Sequence, residues 1–233
     1  MFGFSISSEK PHPYLLPGAI VLGAIIISLA ILSRPIEKSG GSAAQVAGTR
    51  EIKAEVLPVT NEDHVLGSRD ADVFLIEYSD YRCGYCGLFH DTISEILEEY
   101  DGRVAWVYRH TPYQPGGKEA AVASECVAEQ LGEEGFWAYT NEALKNQKDL
   151  NSEWHKSKAV ELGADGDAFD ECVVSGKYDE IIKNHTMNSQ ELGGQGTPYN
   201  VLLTKNGGVI KFSGAQPKDN VKIFIERALK TLQ

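Results

Sequence analysis

Apolar positions follow three regimes along the chain. Residues 14–33 read YLLPGAIVLGAIIISLAILS, uncharged, apolar on every side and about twenty residues long, enough to span a bilayer as a helix. Residues 35–49 read PIEKSGGSAAQVAGT, small and polar, the composition of a flexible tether. Beyond the tether, short apolar runs alternate with amphipathic stretches. Val73-Phe74-Leu75-Ile76 predicts a buried strand over Asp72–Ile76. Phe89, Ile93, Ile96, Leu97 and Tyr100 recur at helical spacing, which predicts a helix from Cys83 to Tyr100 with Gly102 as its C-cap. Val104–Tyr108 is rich in strand formers and reads as a second buried strand.

From Gly116 to about Glu191 the composition shifts to Ala, Glu, Lys and Leu. Helices are expected over Lys118–Leu131, Glu134–Leu144, Trp154–Leu162, Asp167–Val174 and Tyr178–Glu191. Strand character returns at Tyr199–Thr204 and Gly208–Phe212, on either side of Lys205-Asn206-Gly207, and Asn-Gly is a strong hairpin signal. In the final stretch, Asp219–Leu232, one helical face carries Val221, Phe224, Ile225, Ala228, Leu229 and Leu232. The order is strand, helix, strand, helical block, hairpin, helix: an α/β chain with an inserted all-helical subdomain. There is no internal repeat.

Size and charge narrow the function. The chain has 233 residues, and the portion beyond the first fifty or so fits one domain, or one with a subdomain, able to bury a core without staples. A net charge of −11, from 22 basic and 33 acidic residues, argues against a nucleic-acid partner. The expected organisation is a tail over residues 1–13, a single transmembrane anchor over 14–33, a tether over 34–56 and a folded domain over 57–233, with the helical insertion at about 116–191. A cleaved signal peptide is the rival reading of residues 14–33, with Ser28-Leu29-Ala30 as its cleavage site. That site lies within the apolar run, and the run's length favours the anchor. Arg34, Lys38, Arg50 and Lys53 after the span outnumber Lys10 and the α-amine before it, which leans towards a cytoplasmic domain. The cysteines argue the other way: four is an even number, and in an oxidising compartment it suggests two disulfides. The expected location is the cell membrane, crossed once, with the soluble domain extracytoplasmic.

Cys83-Gly84-Tyr85-Cys86 carries the chemistry. It follows a strand and opens a helix, the layout of a thiol–disulfide centre. The first sulfur lies at the helix N-terminus, where free N–H groups and the dipole favour a thiolate. Half a zinc site is an alternative that needs two more ligands. His90 is four residues beyond Cys86, but Cys126 and Cys172 stand alone, so neither a metal nor another cofactor is expected. Two unrelated structural cysteines are the remaining alternative. Trp137 and Tyr139 read as core. Asn184-His185-Thr186 is a glycosylation sequon by pattern only, within an expected helix.

These features resemble the DsbA-like branch of the thioredoxin superfamily. The resemblance rests on Asp63-His64-Val65-Leu66-Gly67, on Glu77-Tyr78-Ser79-Asp80-Tyr81 leading into Cys83-Gly84-Tyr85-Cys86 with Phe89-His90, and on Tyr108-Arg109-His110. It continues through Ala123, Cys126 and Gln130, Phe169 and Cys172, Ser175-Gly176-Lys177-Tyr178 and Gly196-Thr197-Pro198, and so covers almost everything from about residue 57 onward. It implies a thioredoxin-like fold and a membrane-anchored thiol–disulfide oxidoreductase that forms or exchanges disulfides in extracytoplasmic proteins. Pro198 matches the cis-proline beside the active-site sulfurs, and Thr197 would offer its backbone to an extended substrate. Gly84, Tyr85 and Thr197 are the expected substrate contacts. Glu77 matches a buried acid that relays a proton as Cys86 becomes a thiolate; a partly exposed strand glutamate is the alternative. Cys126 and Cys172 match a structural disulfide between inserted helices, with two free buried thiols as the alternative. The implied partners are reduced or misoxidised proteins and a quinone-linked membrane oxidase. Gly84-Tyr85 departs from the Pro-His of strong oxidants and looks like the dipeptide of bacterial disulfide isomerases, which also place Thr before the cis-proline. Those isomerases carry an N-terminal dimerisation domain that residues 34–60 are too few to form. Oxidase is therefore the leading expectation and reductase or isomerase the second. A metal-binding module and a non-catalytic chaperone on the same fold are alternatives of another class.

Overall fold

The computed structural model describes residues 55–233. The expected anchor over residues 14–33, the tail before it and nearly all of the tether lie outside the described residues. Among the described residues no helix is long and apolar enough to cross a membrane.

The first two strands are β1 (His64–Leu66) and β2 (Val73–Ser79). Helix α1 (Gly84–Glu99) leads from β2 to β3 (Val104–His110). Because β2 and β3 pair in parallel, they need such a crossover, and α1 supplies it. Four helices follow: α2 (Gly117–Lys145), α3 (Ser152–Glu161), α4 (Gly166–Val174) and α5 (Asp179–Glu191). The chain closes with β4 (Tyr199–Thr204), β5 (Val209–Ser213) and α6 (Lys218–Lys230). The sheet order is β1-β3-β2-β4-β5, with every pairing but β2–β3 antiparallel.

Both faces of the central strands are covered, which explains their nearly continuous apolar runs. Val73, Leu75, Val104, Trp106, Tyr108 and Leu202 share a core with Phe89, Ile93, Phe136 and Ile225 from the helices. Ile76, Tyr78, Ala105, Val107, Tyr199 and Val201 form the opposite core with Leu192. Side chains alternate along a strand, so Glu77 falls on the Leu75 side, under α1. The register sets it level with Tyr108 on β3 and Asn200 on β4.

The two helices predicted on either side of Gly132 run together as α2, broken only at Gly132 (φ 67°, ψ −159°), a conformation that glycine alone tolerates well. Asn151 and Asp165 cap α3 and α4 by accepting hydrogen bonds from first-turn backbone N–H groups. Cys126 on α2 and Cys172 on α4 are disulfide-bonded, with Cα atoms 5.8 Å apart. Trp137 and Tyr139 are buried.

Two features differ from the sequence pattern. β1 has only three residues and too little periodicity to announce itself. β3 runs beyond Tyr108 through Arg109 and His110, polar residues that are buried because each has a partner. Arg109 Nε donates to Asp63 Oδ1 (2.8 Å). Glu125 of α2 accepts from His110 Nε2 (2.8 Å) and His64 Nε2 (3.2 Å), tying β1 and β3 to the helical block. Burial opposes the charge on His64, but its hydrogen bonds to Glu125 and Glu133 outweigh that and raise its pKa to about 9.

Candidate functional site

The turn from β2 into α1 places the two free cysteines. Cys83 is the N-cap, extended (φ −88°, ψ 115°), with no side-chain cap on the helix and no acidic residue in its first turn. The N-terminal N–H groups of α1 are therefore open to a thiolate at Cys83. Cys86 lies one turn inward and is fully buried, whereas Cys83 is half-buried. The Cys83 thiol donates to the Thr197 carbonyl oxygen at 3.2 Å. The two sulfurs are chemically unequal. A hydrogen bond from the Cys86 thiol, helped by the Thr197 side chain and by the backbone N–H groups of Cys86 and Tyr85, holds the Cys83 pKa down to about 5 against partial burial. Burial pushes the Cys86 thiol well up, and the Cys83 sulfur and the Glu77 charge add to that.

Glu77 sits beneath this pair and is fully buried. Its Oε1 accepts from Ser79 Oγ at 2.8 Å, while Oε2 has no protein partner. Burial raises its pKa to about 8, and the nearby Cys83 charge adds to the rise. In the same layer Tyr108 OH and Asn200 Oδ1 are also buried without protein partners. The carboxyl under the sulfurs thus keeps its proton at neutral pH, and among the described residues no cation lies against it to ionise it. Pro198 is buried, and the Thr197–Pro198 peptide is cis. Gly84 and Tyr85 are exposed, Tyr85 by 67% of its surface. His90, the candidate third ligand for a metal, is engaged by Asn141, Nε2 to Oδ1 at 2.6 Å. Among the described residues no group of three or more His, Cys, Asp or Glu side chains is arranged to hold a metal ion. The structure therefore gathers Glu77, Cys83, Gly84, Tyr85, Cys86, Thr197 and Pro198 at one end of the sheet, and sets Cys126 and Cys172 apart in the helical block.

Three residues whose roles sequence reasoning missed hold the Cys83 loop in place. The Asp80 carboxylate accepts from the backbone N–H groups of Arg82 (2.9 Å), Tyr113 (2.8 Å) and Gln114 (2.7 Å), and it fills the space a Cβ would need at Gly117. Arg82 donates to the carbonyls of Gln147 (2.6 Å) and Leu150 (3.2 Å). Gln147 in turn donates through Nε2 to the carbonyls of Tyr81 (2.9 Å) and Cys83 (2.7 Å). Asp80 stands in the Glu77–Tyr81 stretch, but nothing local marks what these side chains hold, because all their partners except the Arg82 N–H lie tens of residues away in sequence.

A family model described as Thioredoxin matches residues 59–208. The chain is 31% identical over 142 residues to a Na(+)/H(+) antiporter NhaA of Herminiimonas arsenicoxydans, a match covering 60% of this chain and 22% of the antiporter. The chain thus spans only about a fifth of the length of the curated relatives it matches. Among solved structures, it superimposes on alpha-DsbA1 of Wolbachia pipientis with a TM-score of 0.67 and 23% identity, covering 78% of this chain and all (100%) of that one. BdbD of Bacillus subtilis, in its oxidised form, gives a TM-score of 0.61 at 25% identity, covering 72% of this chain and 94% of that one.

Proposed function

Because the chain belongs to the thioredoxin family, we propose that it is a thiol–disulfide oxidoreductase working through Cys83 and Cys86 in the oxidising direction. The observation that carries this reading is the inequality of the two sulfurs: an accessible, acidic Cys83 at a helix N-terminus and a buried, weakly acidic Cys86. An acidic Cys83 stabilises the reduced protein, and a stabilised reduced form makes the disulfide a stronger oxidant.

Starting from the disulfide form, a substrate thiolate attacks Cys83 Sγ and the Cys83–Cys86 bond breaks. The electron pair goes to Cys86, which takes a proton from the Glu77 carboxyl. A second substrate thiolate then attacks the substrate sulfur of the mixed disulfide, and Cys83 leaves as a thiolate. Two electrons have passed from the substrate dithiol to the protein, which ends reduced, with Cys83 a thiolate, Cys86 a thiol and Glu77 a carboxylate that regains its proton from solvent. Glu77 suits the relay because a pKa near 8 keeps its proton at neutral pH. An extended reduced or misoxidised protein would pair with the Thr197 backbone, flanked by Gly84 and Tyr85. Reoxidation needs a two-electron oxidant, and a quinone-linked membrane oxidase is the class the resemblance implies. In this reading residues 14–33 anchor the domain at the cell membrane, with residues 57–233 outside the cytoplasm.

Gly84-Tyr85 and Thr197 favour a second reading, in which the same centre reduces or isomerises disulfides. Equilibration with glutathione buffers separates the two. The oxidase reading expects a potential more oxidising than about −200 mV, and a value near the −270 mV typical of thioredoxin would overturn it. Topology is tested by labelling Cys83 in whole cells, after mild reduction, with a membrane-impermeant thiol reagent. Labelling before lysis is expected; protection until lysis would overturn the extracytoplasmic placement.

A further inference from the structure

Gln147 belongs to the inserted helical block, in the turn between α2 and α3, yet it touches the redox loop directly. Its two contacts, to the carbonyls of Tyr81 and Cys83, use the carboxamide as a double donor. The Cys83 carbonyl already accepts from the N–H groups of Cys86 (3.0 Å) and Gly87 (3.3 Å) as α1 begins. Gln147 adds a third donor on the same oxygen. The loop answers through Arg82, which donates back to the Gln147 and Leu150 carbonyls. The two chain segments also meet closely. A Cβ at Gly87 would lie 3.0 Å from Gln147 Oε1 and 3.1 Å from the Leu144 carbonyl, so a glycine directly after Cys86 is what lets the block approach.

The Cys83 carbonyl shares a peptide unit with the Gly84 N–H, one of the free donors at the α1 N-terminus. A donor on a carbonyl polarises its peptide and strengthens the N–H on the other side. Donors on the Tyr81 and Cys83 carbonyls also fix the two peptide planes they belong to, those carrying the Arg82 and Gly84 N–H groups, and so the path of the loop that presents Cys83. We propose that Gln147 is a positioning residue for the redox centre: its carboxamide links the inserted helical block to the Cys83 loop and holds that loop in the geometry that stabilises the Cys83 thiolate. The inference rests on the thiol–disulfide reading of Cys83 and Cys86 and assigns the helical block a part in setting the reactivity of that site.

The test is Gln147→Met, which keeps length and volume but cannot donate. The pH profile of Cys83 alkylation and the equilibrium with glutathione are measured on the reduced, full-length chain. The variant is expected to show about threefold less Cys83 thiolate at pH 5, the size of effect that losing one ordinary hydrogen bond produces, together with a more reducing potential. A lower Tm with an unchanged alkylation profile and potential would overturn the proposal and leave Gln147 a purely structural contact. Should the variant not fold, NMR of the wild-type protein decides. The Gln147 side-chain amide resonances are expected to shift between dithiol and disulfide states, and identical resonances in both states would overturn the coupling. A wild-type Cys83 that is not acidic would instead count against the proposed function itself.

Discussion

Replacing Glu77 with glutamine is expected to stabilise the protein at neutral and alkaline pH while slowing its chemistry. The wild-type carboxyl is fully buried, one oxygen has no protein partner, and its pKa rises from 4.5 to about 8. Between those values the unfolded chain gives up a proton that the folded protein keeps. Wild-type stability should therefore fall as pH rises from 4.5 to about 8 and level off above that. At ~1.4 kcal/mol per pH unit, the nominal penalty is ~5 kcal/mol. Relaxation and water penetration reduce such penalties, so a difference of about 2–3 kcal/mol is expected. The substituted carboxamide would keep the Ser79 contact and carry no proton to lose. The assay is denaturant unfolding of oxidised wild type and Glu77→Gln from pH 4 to pH 9, since neither active-site sulfur titrates in the disulfide. The curves should nearly coincide at pH 4 and diverge up to about pH 8, with the variant the more stable. Parallel curves throughout would refute the buried-acid account and the relay built on it. The same variant should slow release of Cys86 when a substrate thiolate attacks the Cys83–Cys86 disulfide, because the leaving sulfur loses its proton source.

Three further outcomes are expected. Cys86→Ala should accumulate mixed disulfides with a disulfide-bonded protein substrate, whose bond the Cys83 thiolate attacks, and Cys83→Ala should form none, both read on non-reducing gels; if neither change alters activity, the mechanism is wrong. Replacing Cys126 and Cys172 together by alanine removes a link between residues 46 apart in sequence. In the chain-entropy model this costs about 4 kcal/mol, seen as an earlier denaturation midpoint, with the Cys83 alkylation profile unchanged. His64→Asn should destabilise by about 1–3 kcal/mol at pH 6, where the charged His64 contributes in full. A pKa raised from 6.5 to about 9 means that contribution is lost as pH rises, so the two proteins should converge above pH 9. An equal gap at pH 6 and pH 10 would count against the charged bridge to Glu125 and Glu133.

Elements with a strong period were legible in the sequence, and elements held by distant partners were not. α1 and α6 follow directly from apolar spacing, and β2 from a continuous apolar run. The hairpin follows from Asn206-Gly207, where Gly207 takes φ 86°. β1 was hidden because three residues define no period. Arg109 and His110 were hidden because polar side chains read as surface until Asp63 and Glu125 appear beside them. In the site, Cys83 and Cys86 announce themselves by spacing, and Pro198 by resemblance alone. That Glu77 is buried follows from strand parity and the apolar neighbours Leu75 and Ile76. Asn200 looks like any strand residue until the register sets it beside Glu77. The contacts of Asp80, Arg82 and Gln147 leave no local trace, because their work is done on backbone groups whose identity the sequence does not encode.

The inequality of the two sulfurs is tested most directly by alkylating the reduced protein with iodoacetamide across pH 3 to 10 and locating the label by mass spectrometry. Label is expected on Cys83 alone, with a midpoint far below an ordinary thiol and close to 5. A midpoint near 9, or equal labelling of Cys83 and Cys86, would contradict the account.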